Sequence, residues 1–239
     1  MKEFVFDIDL SDYNPIRACC TESNICKKCW VFIECAIAIL SHSLINDFGL
    51  EKFIWFFSGR RGVHCWVSDE QAMKFENSSR IAIADFLNPF NSDGKFMKNI
   101  FSTVPSADDP VSCLMHPSYE AFYKIFRPIF CTKILPQQIL CSSKALDTFL
   151  NYLPCAQLKK EISTALEEYI GIEEEEENSE QIDFTKIWND LESKILLAHV
   201  KHSKKGTPNC RNVLKEIIMY YCYPRLDINV TKVIFIRGT

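Results

Sequence analysis

The sequence predicts an α/β fold of the α+β kind, a small sheet interrupted by a long helical insertion, and three observations lead there. Three strand-like segments, Phe4–Asp9, Lys52–Phe57 and Val63–Val67, fall within the first ninety residues. A stretch rich in helix formers and without clear alternation runs from there to Tyr221. A last strand-like segment, Arg225–Val230, returns after it, so a sheet begun at the N-terminus is completed only near the end.

Each element has its own signal. Phe4-Val5-Phe6-Asp7-Ile8-Asp9 alternates apolar and acidic residues, a strand with both aspartates on one face. A cysteine-rich turn, Cys19 to Cys29, precedes a helix running to about Phe48 and closed by Gly49. Ser58-Gly59-Arg60-Arg61-Gly62 joins the second and third strands, and a helix from Asp69, its expected N-cap, extends to Leu87. Beyond Pro89, helices are expected at Leu146–Leu153, Ala156–Tyr169, Ile182–Val200 and Asn212–Tyr221. The expected organisation is thus an α/β part over residues 1–90, with a cysteine knuckle at 19–29. A mainly helical part follows over 91–221, with an acidic loop at 173–180, and the return strand lies in 222–239.

Composition narrows the function classes. The 239 residues are 47% hydrophobic, enough for one substantial core. Formal net charge is −4, so positive charge for a polyanionic ligand must be local; without the five acids Glu173–Glu177 the rest is slightly positive. Seven glycines are few for a Gly-rich phosphate loop. Nothing near Met1 resembles a signal peptide, and the longest apolar run, Trp30–Leu40, contains Glu34 and is too short for a bilayer. Twelve cysteines without a secretory signal point to reduced thiols, some of them on metal. An intracellular, soluble protein with no membrane partner is expected.

Four constellations can carry chemistry. Asp7 and Asp9 can share divalent cations, with Mg²⁺ or Mn²⁺ favoured by oxygen ligands, as phosphoryl-transfer enzymes require. The same alternation also describes an edge strand with a solvated polar face. Ser58, Arg60, Arg61 and His64 lie about a glycine-bracketed turn, where two guanidiniums, a hydroxyl and an imidazole can hold a triphosphate; a basic hairpin tip with a half-buried histidine is the alternative. Cys19-Cys20-x₅-Cys26-x₂-Cys29 offers four thiolates for a closed, structural zinc site, against free buried cysteines. The other eight cysteines are scattered and read as core or surface thiols. Asp227 is a lone acid in an apolar strand, costly unless a cation or donor offsets it, and could supply a third carboxylate to the Asp7/Asp9 pair.

Taken in order, these blocks resemble the small, catalytic subunit of eukaryotic-type DNA primase, in the archaeo-eukaryotic primase family. The resemblance is carried by Phe-Asp-Ile-Asp, Cys-Cys-x₅-Cys-x₂-Cys-Trp, Trp-x₂-Ser-Gly-Arg-Arg-Gly-Val-His-Cys-Trp-Val and Tyr-Pro-Arg-Leu-Asp-Ile-Asn-Val. It is strong over residues 1–90 and 220–232 and weaker between. It implies an RRM-like mixed sheet, with Asp7, Asp9 and Asp227 as ligands of two catalytic Mg²⁺ or Mn²⁺ ions. It implies further that Ser58, Arg60, Arg61 and His64 bind nucleotide phosphates and that Cys19, Cys20, Cys26 and Cys29 hold structural Zn²⁺. The implied activity is synthesis of RNA primers on single-stranded DNA from ribonucleoside triphosphates, in the nucleus, with the primase large subunit and the DNA polymerase alpha complex as partners. A repair-type primase-polymerase and an inactive or nucleic-acid-binding scaffold are the competing readings. Family members usually carry a segment before the first acidic motif, and a lysine and histidines after the last, so the sequence reads as a fragment lacking both terminal segments.

Overall fold

A computed structural model describes residues 3–89, 101–102, 114–153, 156–171, 182–202 and 210–228. Among these residues the main sheet has four strands, β1 (Phe4–Asp9), β2 (Phe53–Phe57), β3 (Gly62–Val67) and β6 (Asp227–Ile228), in the order β2-β3-β1-β6. Every pairing among them is antiparallel, so the described sheet is antiparallel where a mixed one was expected. β1 is central because its apolar residues face the core: Phe4, Phe6 and Ile8 are fully buried, as are Cys65 and, nearly, Val63 and Val67 of β3. The alternate residues, Asp7 and Asp9 with His64 and Trp66, take the other face. A second pair, β4 (Phe101–Ser102) with β5 (Leu114–Met115), is separate.

Helix α1 (Trp30–Asn46) buries Phe32, Ile33, Cys35, Ala36, Ile39, Leu40 and Leu44 in the cluster that contains the sheet's inner face. With the turn before it, Lys27–Asn46 is long and apolar enough to cross a membrane by length and composition; more than half of that stretch is buried inside the protein. The helix expected from Asp69 to Leu87 is two helices, α2 (Glu70–Met73) and α3 (Asn77–Leu87). The break is held by Arg80, 1% exposed, whose guanidinium donates to the carbonyls of Ala72, Phe75 and, from β1's approach, Glu3. Asp69 makes no side-chain cap; its carboxylate accepts instead from the Glu51 and Lys52 N–H groups and so ties the entry of β2.

The helical part begins with α4 (Pro117–Ile129), which runs without a break into a π-helical stretch, Phe130–Ile139. Helices α5 (Ser143–Asn151), α6 (Ala156–Leu166), α7 (Phe184–His202) and α8 (Cys210–Cys222) follow. Their core is aromatic: Phe130 packs on Trp188 at 4.9 Å, Phe149 on Tyr221 at 5.7 Å, and Phe122 and Phe126 on Tyr223 at 6.0 Å. One hydrophobic cluster includes these residues and the inner face of the sheet. The acidic loop at 173–180 and the segment after Ile228 lie outside the described residues. The return strand is correspondingly described over Asp227–Ile228 of the expected Arg225–Val230.

Candidate active site

Strand register assembles the site. Phe56 of β2 lies opposite His64, His64 opposite Asp7, and Asp7 opposite Asp227, so one row crosses all four strands. Directly opposed residues of antiparallel strands present their side chains on the same face. Asp227, far along the chain, therefore shares a face with Asp7 and His64, and Asp9, two residues along β1, shares it too.

The hairpin between β2 and β3 closes over the end of β1. Ser58 N–H donates to the Gly62 carbonyl at 2.9 Å, and the Ser58 hydroxyl accepts from Gly62 N–H at 3.0 Å. Gly59 sits at φ +86°, a left-handed conformation that favours glycine. Gly62 is required for another reason: a Cβ there would lie 2.0 Å from the Ile8 carbonyl oxygen. That close approach brings Arg61 to Asp9. The Arg61 Nε donates to Asp9 Oδ2 at 2.8 Å, while Asp9 Oδ1 accepts from the Ser11 N–H at 2.8 Å and the Ser11 hydroxyl at 2.7 Å. His64 Nε2 lies 3.2 Å from Asp7 Oδ1. Arg60 is exposed at the tip and makes no ion pair with a described residue. Phe56, Phe57, Ser58, His64 and Trp66 line a shallow cavity of about 260 Å³ beside the row.

The two aspartates of β1 are held in opposite electrostatic states. Burial raises Asp7 above the ordinary carboxylate value of 3.8, and the neighbouring charges of Asp9 and Asp227 raise it further against the pull of His64. Burial would raise Asp9 as well, but the Ser11 N–H and the Arg61 guanidinium outweigh it and hold Asp9 below that value. Asp12, which sequence reasoning passed over, is raised by burial and then by the charges of Asp9, Asp7 and Asp227. No strand periodicity could have found it, because it lies on the one-turn helix Leu10–Tyr13 after β1. The face thus gathers hard oxygen donors and like charge in one place, with a guanidinium and an imidazole at its margin.

The four cysteines converge as well. Their sulfurs all lie within 4.8 Å of one another; Cys29 Sγ is 3.4 Å from Cys19, 3.0 Å from Cys20 and 3.7 Å from Cys26. A tetrahedral ion with Zn–S near 2.3 Å places its sulfurs about 3.8 Å apart, so the donor set fits such an ion. Burial would push the Cys29 thiol up, but hydrogen bonds from Cys20, the Cys26 N–H, Cys19 and Arg17 bring it down to about 7. The knuckle is tethered to the helical part by Gln138, 1% exposed, which sequence reasoning also missed. Its Oε1 accepts from Ala18 N–H at 3.1 Å and Cys19 N–H at 3.4 Å, and its Nε2 donates to the Lys28 carbonyl at 2.9 Å.

Residues 6–234 match the family model described as DNA primase small subunit. The chain belongs to the DNA primase small subunit family. Among curated relatives, the DNA primase small subunit of Drosophila melanogaster is 33% identical over 97% of this chain and 50% of its own length. That of Saccharomyces cerevisiae is 32% identical over 97% of this chain and 52% of its own length. The DNA primase small subunit PriS of Thermococcus kodakarensis is 36% identical over 36% of this chain and 25% of its own length. The chain spans about half the length of the primase small subunits of fly and yeast that it matches.

Proposed function

We propose that this chain carries the nucleotidyl-transfer centre of a DNA primase, making RNA primers on a single-stranded DNA template from ribonucleoside triphosphates. The observation that supports the reading most is the strand row joining His64, Asp7 and Asp227, with the Arg61–Asp9 pair beside it on the same face.

In this reading Asp7, Asp9 and Asp227 hold two Mg²⁺ or Mn²⁺ ions, for which carboxylate oxygens are the suitable donors. When bound, such ions lower the charge of the triphosphate and make a 3′-hydroxyl a better nucleophile. Asp9 is engaged by Arg61 and Ser11, and Asp7 by His64. A triphosphate arriving at the turn competes for the same guanidinium and imidazole. Arg61 turning from Asp9 to phosphate oxygens would free one carboxylate and neutralise the ligand in one movement. Arg60, exposed at the tip, adds a second guanidinium. Ser58 keeps its hydroxyl hydrogen for a phosphate while its oxygen accepts from Gly62. Cys19, Cys20, Cys26 and Cys29 hold structural Zn²⁺, a closed set with no open position for chemistry. The α/β part and the return strand supply the chemistry, and the helical part supports them. The primase large subunit, the DNA polymerase alpha complex and a nuclear location complete the proposal.

Nucleotide affinity tests it. Arg61→Ala and His64→Ala should each weaken ribonucleoside triphosphate binding ten- to a hundredfold, while the melting temperature stays within a few degrees of wild type. Unaltered affinity with a lowered melting temperature would make both residues structural. Comparing ribonucleotide with deoxyribonucleotide incorporation separates primer synthesis from repair-type polymerisation.

A further inference from the structure

The cysteine knuckle is built around a side chain with no role in the chemistry above, Arg17. It is 5% exposed, on a segment between the turn after β1 and the first cysteine. Nη1 donates to Cys29 Sγ at 3.5 Å, to Cys20 Sγ at 3.8 Å and to the Asn24 carbonyl at 2.8 Å. Nη2 donates to Asn14 Oδ1 at 2.5 Å and to the Glu22 carbonyl at 2.6 Å. Five hydrogen bonds from one guanidinium thus span the loop from Asn14 to Cys29.

A buried guanidinium is costly unless negative charge offsets it. Among the described residues no carboxylate pairs with Arg17; its partners are an amide, two carbonyls and two sulfurs. Neutral thiols offset a cation poorly, whereas thiolates do so well. Four thiolates around one divalent ion carry a net charge of about −2, itself unfavourable in a partly buried loop. The two costs cancel when the guanidinium and the thiolate cluster occupy the same place.

We infer that Arg17 is a positioning residue for the metal knuckle: it orients Cys20 and Cys29 through N–H···S bonds and offsets the charge of the four-thiolate set. This rests on the zinc reading proposed above. Arginine suits the task because its fork presents Nη1 to the sulfurs while Nη2 grips Asn14 and Glu22; a lysine ammonium keeps the charge and loses the fork.

The test uses the whole chain as wild type, Arg17→Met and Arg17→Lys, loaded with Zn²⁺ or with Co²⁺ as a spectroscopic stand-in. Affinity is read by chelator competition, and thiolate character by the energy of the thiolate-to-cobalt charge-transfer band. Arg17→Met should weaken Zn²⁺ ten- to a hundredfold, the range for lost outer-sphere partners. Its cobalt band should move to longer wavelength, because a sulfur without an N–H donor gives up an electron more easily. Arg17→Lys should recover part of the affinity and little of the band shift. If Arg17→Met does not fold, the Arg17→Lys band decides. Affinity and band unchanged in the variants, with only the melting temperature moved, would overturn the inference and leave the zinc reading intact. Wild-type protein that retains neither ion would overturn the zinc reading, and this inference with it.

Discussion

Replacing Gly62 with alanine tests the close approach on which the site geometry depends. The added Cβ would lie 2.0 Å from the Ile8 carbonyl oxygen, 3.1 Å from its carbonyl carbon and 3.3 Å from the Asp9 Cα, all backbone atoms with no flexible end to give way. An unstrained contact needs about 3.5 Å, so β1 and β3 must part by about 1.5 Å at the Asp9–Gly62 pair. Overpacking of this kind costs about 3 kcal/mol, at the upper end of its usual range. For a chain of this size that corresponds to a fall of roughly 6–12 °C in melting temperature. Gly59→Ala is the control: nothing lies within 4 Å of its added Cβ, but φ is +86°. It should cost only about 1–2 kcal/mol, the penalty of a left-handed conformation. Thermal unfolding followed by circular dichroism ranks the two variants, and triphosphate affinity should fall further for Gly62→Ala, because the parting strands displace Arg61 and His64 from the carboxylate face on which the triphosphate is proposed to bind. A Gly62→Ala protein as stable as wild type, or less affected than Gly59→Ala, would refute the close-approach argument.

Gln138→Leu should leave the Ala18 and Cys19 N–H groups and the Lys28 carbonyl without their partner, lowering stability by about 3–5 kcal/mol in urea titration. Gln138→Glu, which keeps the acceptor, should lose less. Asp7 and Asp9 should respond to neutralisation with opposite signs. Asp7 is raised by burial, so stability present below pH 3.8 is lost as pH rises through its folded value, and Asp7→Asn should melt no lower than wild type at pH 7. Asp9 is depressed, so it stabilises above pH 3.8 and loses that contribution as pH falls through its folded value. Asp9→Asn should therefore melt below wild type at pH 7 and approach it near pH 3, and identical pH profiles for the two variants would discard both assignments.

The sheet was legible because its signals are local. Alternation in Phe4–Asp9, the Gly-bracketed turn and the apolar runs on either side each specify a strand without reference to the rest of the chain. The candidate site was legible in part for the same reason: period two places Asp7 with Asp9, and His64 with Trp66. What sequence could not supply was partnership. Helix α4 and its π-helical continuation fall in the part expected to be helical but were not among the helices expected singly; Pro128 and Pro136, residues that ordinarily break a helix, both lie inside the run. The Thr132 hydroxyl donates to the Pro128 carbonyl, taking up an acceptor in the wider turn. The single helix expected over Asp69–Leu87 failed because a buried arginine takes carbonyls at the break. Gln138 and Arg17 were invisible because neither has a periodic or motif signature; each acts through bonds to backbone and sulfur that exist only once the knuckle has folded.

The same distinction explains what the helical part does for the candidate face. Asp227 pairs with Asp7, and among the described residues β6 also pairs Ile228 with Phe6. Placement comes from the residues just before it. Tyr221 and Tyr223 are buried in the aromatic core of the helices. Arg225 is pinned to the same segment, donating to the Tyr223 and Tyr220 carbonyls at 3.0 Å each. The backbone N–H of Arg225 donates to the Tyr13 hydroxyl at 3.0 Å, and its guanidinium lies over the Tyr13 and Tyr220 rings. Tyr13 itself is fully buried in the one-turn helix that follows Asp9. The return strand is thus located from both ends of the site: by the aromatic core that anchors α8, and by a hydroxyl four residues beyond the second aspartate.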